Sequence, residues 1–257
     1  MDLALLALVL VTLAVLVWRA IARDRRDYAR FKRLRSTKLR RRVFGRWIIE
    51  SLLVLGGLAG ALLLGAGSFV PLALDDIRAW GPLAGVPYGT GTAAWILAGF
   101  GIAVVVAMAL PVLLLRTRLD EIPAIGDIKA LLPRERGELK FGAGLAVTAG
   151  VVEELLFRLA LPAAIFGVTG SGPLAFGAAA LVFGLLHIYQ GAQGILFASL
   201  LGVVFTALYV LSGTIVVPIV LHALIDLRSL ILIPIALGGA WDPSPRGTRR
   251  PAASSPS

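Results

Sequence analysis

There is no cysteine among the 257 residues of this chain. Disulfides, thiolate catalysis and cysteine-ligated metals are therefore excluded. Charge is scarce as well: Asp, Glu, Lys and Arg make up 16% of the residues, where soluble domains carry about 25%. Histidine occurs only twice. Apolar residues take the place of all these, at 58%, with a mean hydropathy of +0.89. That balance excludes a water-soluble core and, with it, soluble multidomain readings.

Several apolar runs are long enough, at about 18 residues or more, to cross some 30 Å of hydrocarbon as helix. The apolar runs fall at residues 3–18, which is short, 47–68, 93–115, 141–165, 173–189, 195–211 and 214–235. Backbone groups in lipid must bond internally, and no long strand-like run is present. The expectation is an all-α, polytopic transmembrane helical bundle of about seven crossings. The first run has no positive residue ahead of it, and Asp2 is the only early charge. It reads as a retained anchor rather than a cleaved leader. Between the second and third runs, Pro71, Asp75, Asp76, Pro82 and Pro87 point to a loop.

The net charge of +10 is uneven. Residues 19–46 hold 13 Lys or Arg against 2 Asp or Glu, which leaves the remainder close to neutral. A basic run can signal nucleic acid, but one between two apolar segments reads as a cytoplasmic loop obeying the positive-inside rule. No nucleic-acid partner is expected; anionic lipid headgroups are. With that loop inside, the N-terminus lies outside the cell (inner or plasma) membrane. The charged segment 116–140 and the Arg-containing C-terminus are then cytoplasmic. The chain divides into an anchor with its basic loop (1–46), two transmembrane helices with connecting loops (47–139), a polar-centred helical bundle (140–236) and a disordered tail rich in Pro, Ser and Arg (237–257).

Charged side chains at mid-membrane cost about 2.5–3.5 kcal/mol each on insertion scales, so those inside apolar runs call for a reason. They are Glu153, Glu154, Arg158, His187, His222, Asp226 and Arg228. Glu154 and Arg158 stand at i and i+4 on one helix face and can form an ion pair, a structural role as much as a functional one. Glu153 is turned about 100° away and must face other helices or water. His222 and Asp226 again share a face at i, i+4. Phe183, four residues before His187, reads as core packing. Gly191 and Gly213 read as turn residues. Three chemistries fit this set. In hydrolysis, Glu153 and His187 activate water while His222 and Asp226 stabilise an oxyanion. In a metal site, zinc is held by Glu153, His187 and His222, although HExxH is absent. The third is a proton relay in a transporter.

Glu153-Glu154-x-x-x-Arg158, Phe183-x-x-x-His187 and His222-x-x-x-Asp226, in that order on separate apolar runs, resemble the pattern of the CPBP family. This family comprises CAAX proteases and bacteriocin-processing enzymes, also called Abi, and includes the type II CAAX prenyl endopeptidases. The resemblance covers residues 140–235. It implies an intramembrane endopeptidase that is glutamate-dependent, requires no cofactor in the favoured mechanism, and takes a peptide or membrane-protein substrate. By position, Glu153 resembles the base that activates water, with His187 beside it. Glu154 and Arg158 resemble supporting residues, and His222 with Asp226 the oxyanion side. Where the prenyl endopeptidases carry Asn, this chain has Asp226, a departure from the prenyl-protein pattern that bacterial-type members share. The family's link to bacteriocin self-protection also implies an alternative: a non-catalytic immunity or scaffold protein that binds a peptide or partner.

Overall fold

The computed structural model describes residues 2–81 and 127–236, with isolated positions between 83 and 110. Among the described residues every regular element is helical. Helix α1 spans Leu3–Lys32 and α2 spans Thr37–Ala66. Asp2 caps α1 by accepting from the amides of Ala4 and Leu5, and Ser36 caps α2 by accepting from Leu39 N. The basic loop expected at 19–46 is thus two helices joined by residues 33–36. Lys and Arg are good helix formers, so a run of them marks a side of the membrane without specifying a loop.

The stretch after α2, expected as loop, contains helix α3, Phe69–Ala79. Pro71 lies in its first turn, where the helix needs no amide donor. Ala73 and Ile77 of α3 pack on Phe176, Tyr209 and Val210. Helix α4 covers 136–169 and is π-helical over Leu155–Ala160. Helix α5, Gly172–Leu186, ends in a tight 3₁₀ turn, His187–Gln190, and Gly191 follows with φ of +83°. Helix α6 is Ala192–Ser212, closed by Gly213 at φ +70°, and α7 is Val216–Ala236.

Among the described residues five helices, not seven, are long and apolar enough to cross a membrane: α1, α2, α5 with its turn, α6 and α7. Helix α4 has the length but carries Glu153, Glu154 and Arg158 at its centre. The expected crossing at 93–115 lies largely outside the described residues, and the tail 237–257 lies wholly outside them. The divisions drawn after 46 and 139 both fall within helices, α2 and α4.

The main core joins α1, α2, α4 and α5 through Leu16, Leu62, Leu156, Phe157 and Phe183. Helices α4 and α7 pack closely at Gly150, where a Cβ would lie 2.9 Å from the backbone nitrogen of Ala223. Only a glycine permits that approach, as is common where helices pack in lipid. This contact sets Glu153 and Glu154 opposite His222, one residue before Ala223.

A second anchorage lies beside the site. Arg40 on α2 is fully buried. Its Nε donates to Glu138 at 3.0 and 3.2 Å, and its Nη atoms donate to the carbonyls of Ala130 and Leu132 at 3.1 Å. The Phe31 ring sits 4.3 Å from its guanidinium carbon. Tyr28 donates to Asp127 O, and Asp127 N donates to Gln190 O at 3.0 Å. The segment 127–138 is therefore strapped to the α1–α2 hairpin at one end of the bundle.

Candidate functional site

The polar side chains of the site are held by contacts both within and between helices. Arg158 and Glu154, one turn apart on α4, lie 3.1 Å apart with both side chains buried. The Arg158 guanidinium carbon lies 4.4 Å from the Phe183 ring centre and 5.3 Å from that of Phe205. Its Nη2 reaches Gly202 O at 3.4 Å. Two aromatic faces and a carbonyl thus offset part of the cost of a cation buried in this bundle.

The same two rings bracket His222. Phe205 stacks on it at 5.1 Å and Phe183 meets it edge-on at 6.0 Å. His222 Nδ1 lies 2.7 Å from Glu154 Oε1. A carboxylate only accepts, so the hydrogen resides on Nδ1 and Nε2 turns toward Asp226 and Glu153. The gaps are 3.7 Å to Asp226 Oδ2 and 4.0 Å to Glu153 Oε2. The i, i+4 spacing had paired His222 with Asp226; the shorter contact is to Glu154, from another helix.

His187 sits where α5 gives way to its terminal turn. Its Nδ1 lies 2.9 Å from Phe183 O. A carbonyl also only accepts, so Nδ1 carries the hydrogen here too and Nε2 is left with its lone pair. Phe183 therefore does more than fill the core: its ring separates His187, at 5.0 Å, from His222, at 6.0 Å, while its carbonyl fixes the His187 tautomer.

Glu153, His187, His222 and Asp226 all line one cavity of about 290 Å³. Glu154 and Arg158 do not line it; they stand behind it, fully buried. Among the described residues no group of three or more His, Asp or Glu side chains is arranged to hold a metal ion. Glu153, His187 and His222, the residues that the sequence offered to zinc, share one cavity. Arg228, the remaining charged residue of the apolar runs, is not part of the cavity lining.

Two groups of residues were not legible as part of this site. Phe205 carries no motif, and only the helix packing sets it against His222 and Arg158. The far wall comes from the first hairpin: Leu16, Arg19, Asp24 and Tyr28 of α1, and Trp47, Ser51 and Leu55 of α2. In sequence Arg19, Asp24 and Tyr28 fall in the charge run, which reads as a topological signal, and Leu16, Trp47, Ser51 and Leu55 carry no motif.

Several long apolar helices packed around an ionisable pocket define a multi-pass membrane protein. Residues 136–228 match the family described as type II CAAX prenyl endopeptidase, Rce1-like, in agreement with the CAAX protease resemblance carried by the three motifs. The match takes in all seven charged side chains of the apolar runs, from Glu153 to Arg228, and leaves residues 1–135 outside. No curated protein and no solved structure matches the chain.

Proposed function

We propose that the protein is an intramembrane endopeptidase that hydrolyses a peptide bond of a membrane-associated substrate with a water activated by Glu153. The observation that carries this reading is the convergence of Glu153, His187, His222 and Asp226 on one cavity, backed by the Glu154–Arg158 pair.

In this scheme the Glu153 carboxylate takes a proton from water, and the resulting hydroxide attacks the scissile carbonyl. The lone pair on His187 Nε2 accepts a hydrogen bond from that water and orients it. The gap of 4.0 Å between Glu153 and His222 suits a water bound at about 2.8 Å from each. His222, protonated on both nitrogens at this stage, donates Nδ1–H to Glu154 and Nε2–H to the oxyanion. One such donor contributes on the order of 2.7–4 kcal/mol to the transition state. Asp226 holds the Nε2 side of the ring in place, and in its acid form also donates. Glu153 then returns its proton to the leaving amine as the C–N bond breaks, which leaves a new carboxyl and a free amine. No step runs through a metal.

We further propose that the strapped end of the bundle faces the cytoplasm, with the N-terminus outside. Support comes from clustering: the basic α1–α2 junction and the charged 127–138 segment meet there, with Arg134 donating to Leu34 O at 3.1 Å. The test is cleavage of a candidate membrane-anchored peptide by reconstituted protein, compared with Glu153→Ala inserted to the same level. The reading predicts complete loss in the variant. Unaltered processing by Glu153→Ala would refute it.

A further inference from the structure

The groups gathered in the cavity differ in how firmly the backbone holds them. Glu153, His222 and Asp226 stand within helices α4 and α7. His187 stands where α5 ends, in the His187–Gln190 turn. Helix ends fray, and a site group on a turn is placed less precisely than one on a helix. Among the described residues His187 makes one hydrogen bond, from Nδ1–H to Phe183 O at 2.9 Å. That bond pins one atom of the imidazole. The ring can still rock about it, so the bond alone does not fix Nε2.

Two aromatic rings restrict that motion. Phe183 lies 5.0 Å from the imidazole centre with the planes 53° apart, and Tyr189 lies 6.0 Å from it with the planes only 27° apart. Tyr189 is itself held. Gln190 Nε2 donates to its hydroxyl at 2.9 Å, and the buried ring of Tyr28 on α1 meets it edge-on at 5.1 Å. Tyr28 donates to Asp127 O, and Asp127 N donates to Gln190 O at 3.0 Å. Stacked and edge-on pairs at these separations are the favourable ring arrangements. The turn that carries His187 is thus braced from α1, outside the matched residues 136–228.

We propose that Tyr189, braced by Tyr28, is a positioning residue for His187: its ring holds the imidazole plane, and with it Nε2, toward the water that Glu153 activates. The kinetic consequence rests on the peptidase reading; the restraint on the imidazole does not. The role belongs to the aromatic ring of Tyr189, not to its hydroxyl. A misplacement of about 1 Å at a reacting group costs on the order of 100-fold in rate. The loss falls on kcat, because the contacts that bind substrate are unchanged.

The test uses the full-length protein in proteoliposomes. The chain has only two histidines, so isotope-labelled histidine gives two imidazole signals in solid-state NMR, assigned with a His187→Gln sample. The order parameter of the His187 ring should be about 0.85 in the wild type and fall below about 0.6 in Tyr189→Leu. That of His222, on another helix, should not change, and Tyr189→Phe should keep both. Cleavage is followed on a palmitoylated peptide selected from a randomised library by the wild type. Tyr189→Leu should lose about 10- to 100-fold in kcat with KM within about two-fold, and Tyr189→Phe should stay within about three-fold of the wild type. Tyr28→Leu should act in the same direction and more weakly; it carries the test from a second helix where Tyr189→Leu does not fold. An unchanged His187 order parameter in the leucine variants would overturn the proposal. So would equal losses in Tyr189→Phe and Tyr189→Leu, which would assign the role to the hydroxyl. A loss confined to KM would also overturn it, by making Tyr189 a substrate contact. Loosening of both histidines together with a lowered melting temperature would reduce Tyr189 to a structural role and overturn it as well. A His187 ring that loosens as expected in a protein whose wild type cuts no member of the library would sink the peptidase reading and leave the restraint by Tyr189 standing.

Discussion

Glu154 Oε1 lies 2.7 Å from His222 Nδ1 and 3.1 Å from an Arg158 nitrogen, so one buried carboxylate joins a fixed cation to the imidazole that faces the cavity. The two glutamates of the pair are thereby divided in role. Glu153 meets the cavity, and Glu154 stands behind His222, fixing its tautomer and balancing charge.

Two substitutions at Glu154 should separate those functions. Glu154→Gln keeps the shape but can present an N–H to Nδ1, which permits the wrong tautomer. Activity should fall by roughly 10²–10⁴, as when the carboxylate behind a catalytic histidine becomes an amide, while the protein stays folded. Glu154→Ala leaves Arg158 buried without its ion-pair partner and should also destabilise by about 3–5 kcal/mol. Cleavage rates together with thermal unfolding in detergent distinguish the two.

The Gly150–Ala223 contact sets the distance from α4 to α7, so it can be tested away from any polar group. Gly150→Val has no room beside the Ala223 backbone, where even a single Cβ would lie at 2.9 Å. It should push α7 outward and lengthen the Glu154–His222 bond. The expected result is a loss of activity as large as that of Glu154→Gln, although no catalytic group has changed. Gly150→Ala should lose less.

Arg40 and Glu138 form a fully buried pair on the strap. Arg40→Met alone strands Glu138 and should cost about 3–5 kcal/mol of stability, whereas Arg40→Met with Glu138→Leu should recover most of that loss. Thermal unfolding of the two single variants and the double variant closes the cycle. Additive losses would show that the two side chains do not depend on each other.

These contacts show what the sequence discloses and what it withholds. The helical bundle follows from hydropathy and length. Glu153, His187, His222 and Asp226 stand out because ionisable groups in apolar runs are expensive, and their motifs agree with the Rce1-like match over 136–228. Spacing along one helix predicts pairs such as Glu154–Arg158. It says nothing about Glu154–His222, whose partners are 68 residues apart on different helices, or about Arg40–Glu138, 98 residues apart. The basic run hid Arg19 and Arg40 for the same reason. Thirteen cations within residues 19–46 look alike in sequence, and only packing separates the buried ones from those facing water. Pro71 misled in a similar way, because proline is a helix breaker in general and a good first-turn residue in particular.

The absence of cysteine makes the central claim, a single water-filled cavity shared by four side chains, open to direct measurement. Single variants Glu153→Cys, His187→Cys, His222→Cys and Asp226→Cys can be reacted, in proteoliposomes, with a charged thiol reagent that does not cross lipid. Leu64→Cys, at a position 93% exposed on the apolar exterior, serves as the lipid-facing control. The account predicts that all four site variants are labelled from the same side of the membrane while Leu64→Cys is not. Labelling from opposite sides, or site variants as unreactive as Leu64→Cys, would contradict it.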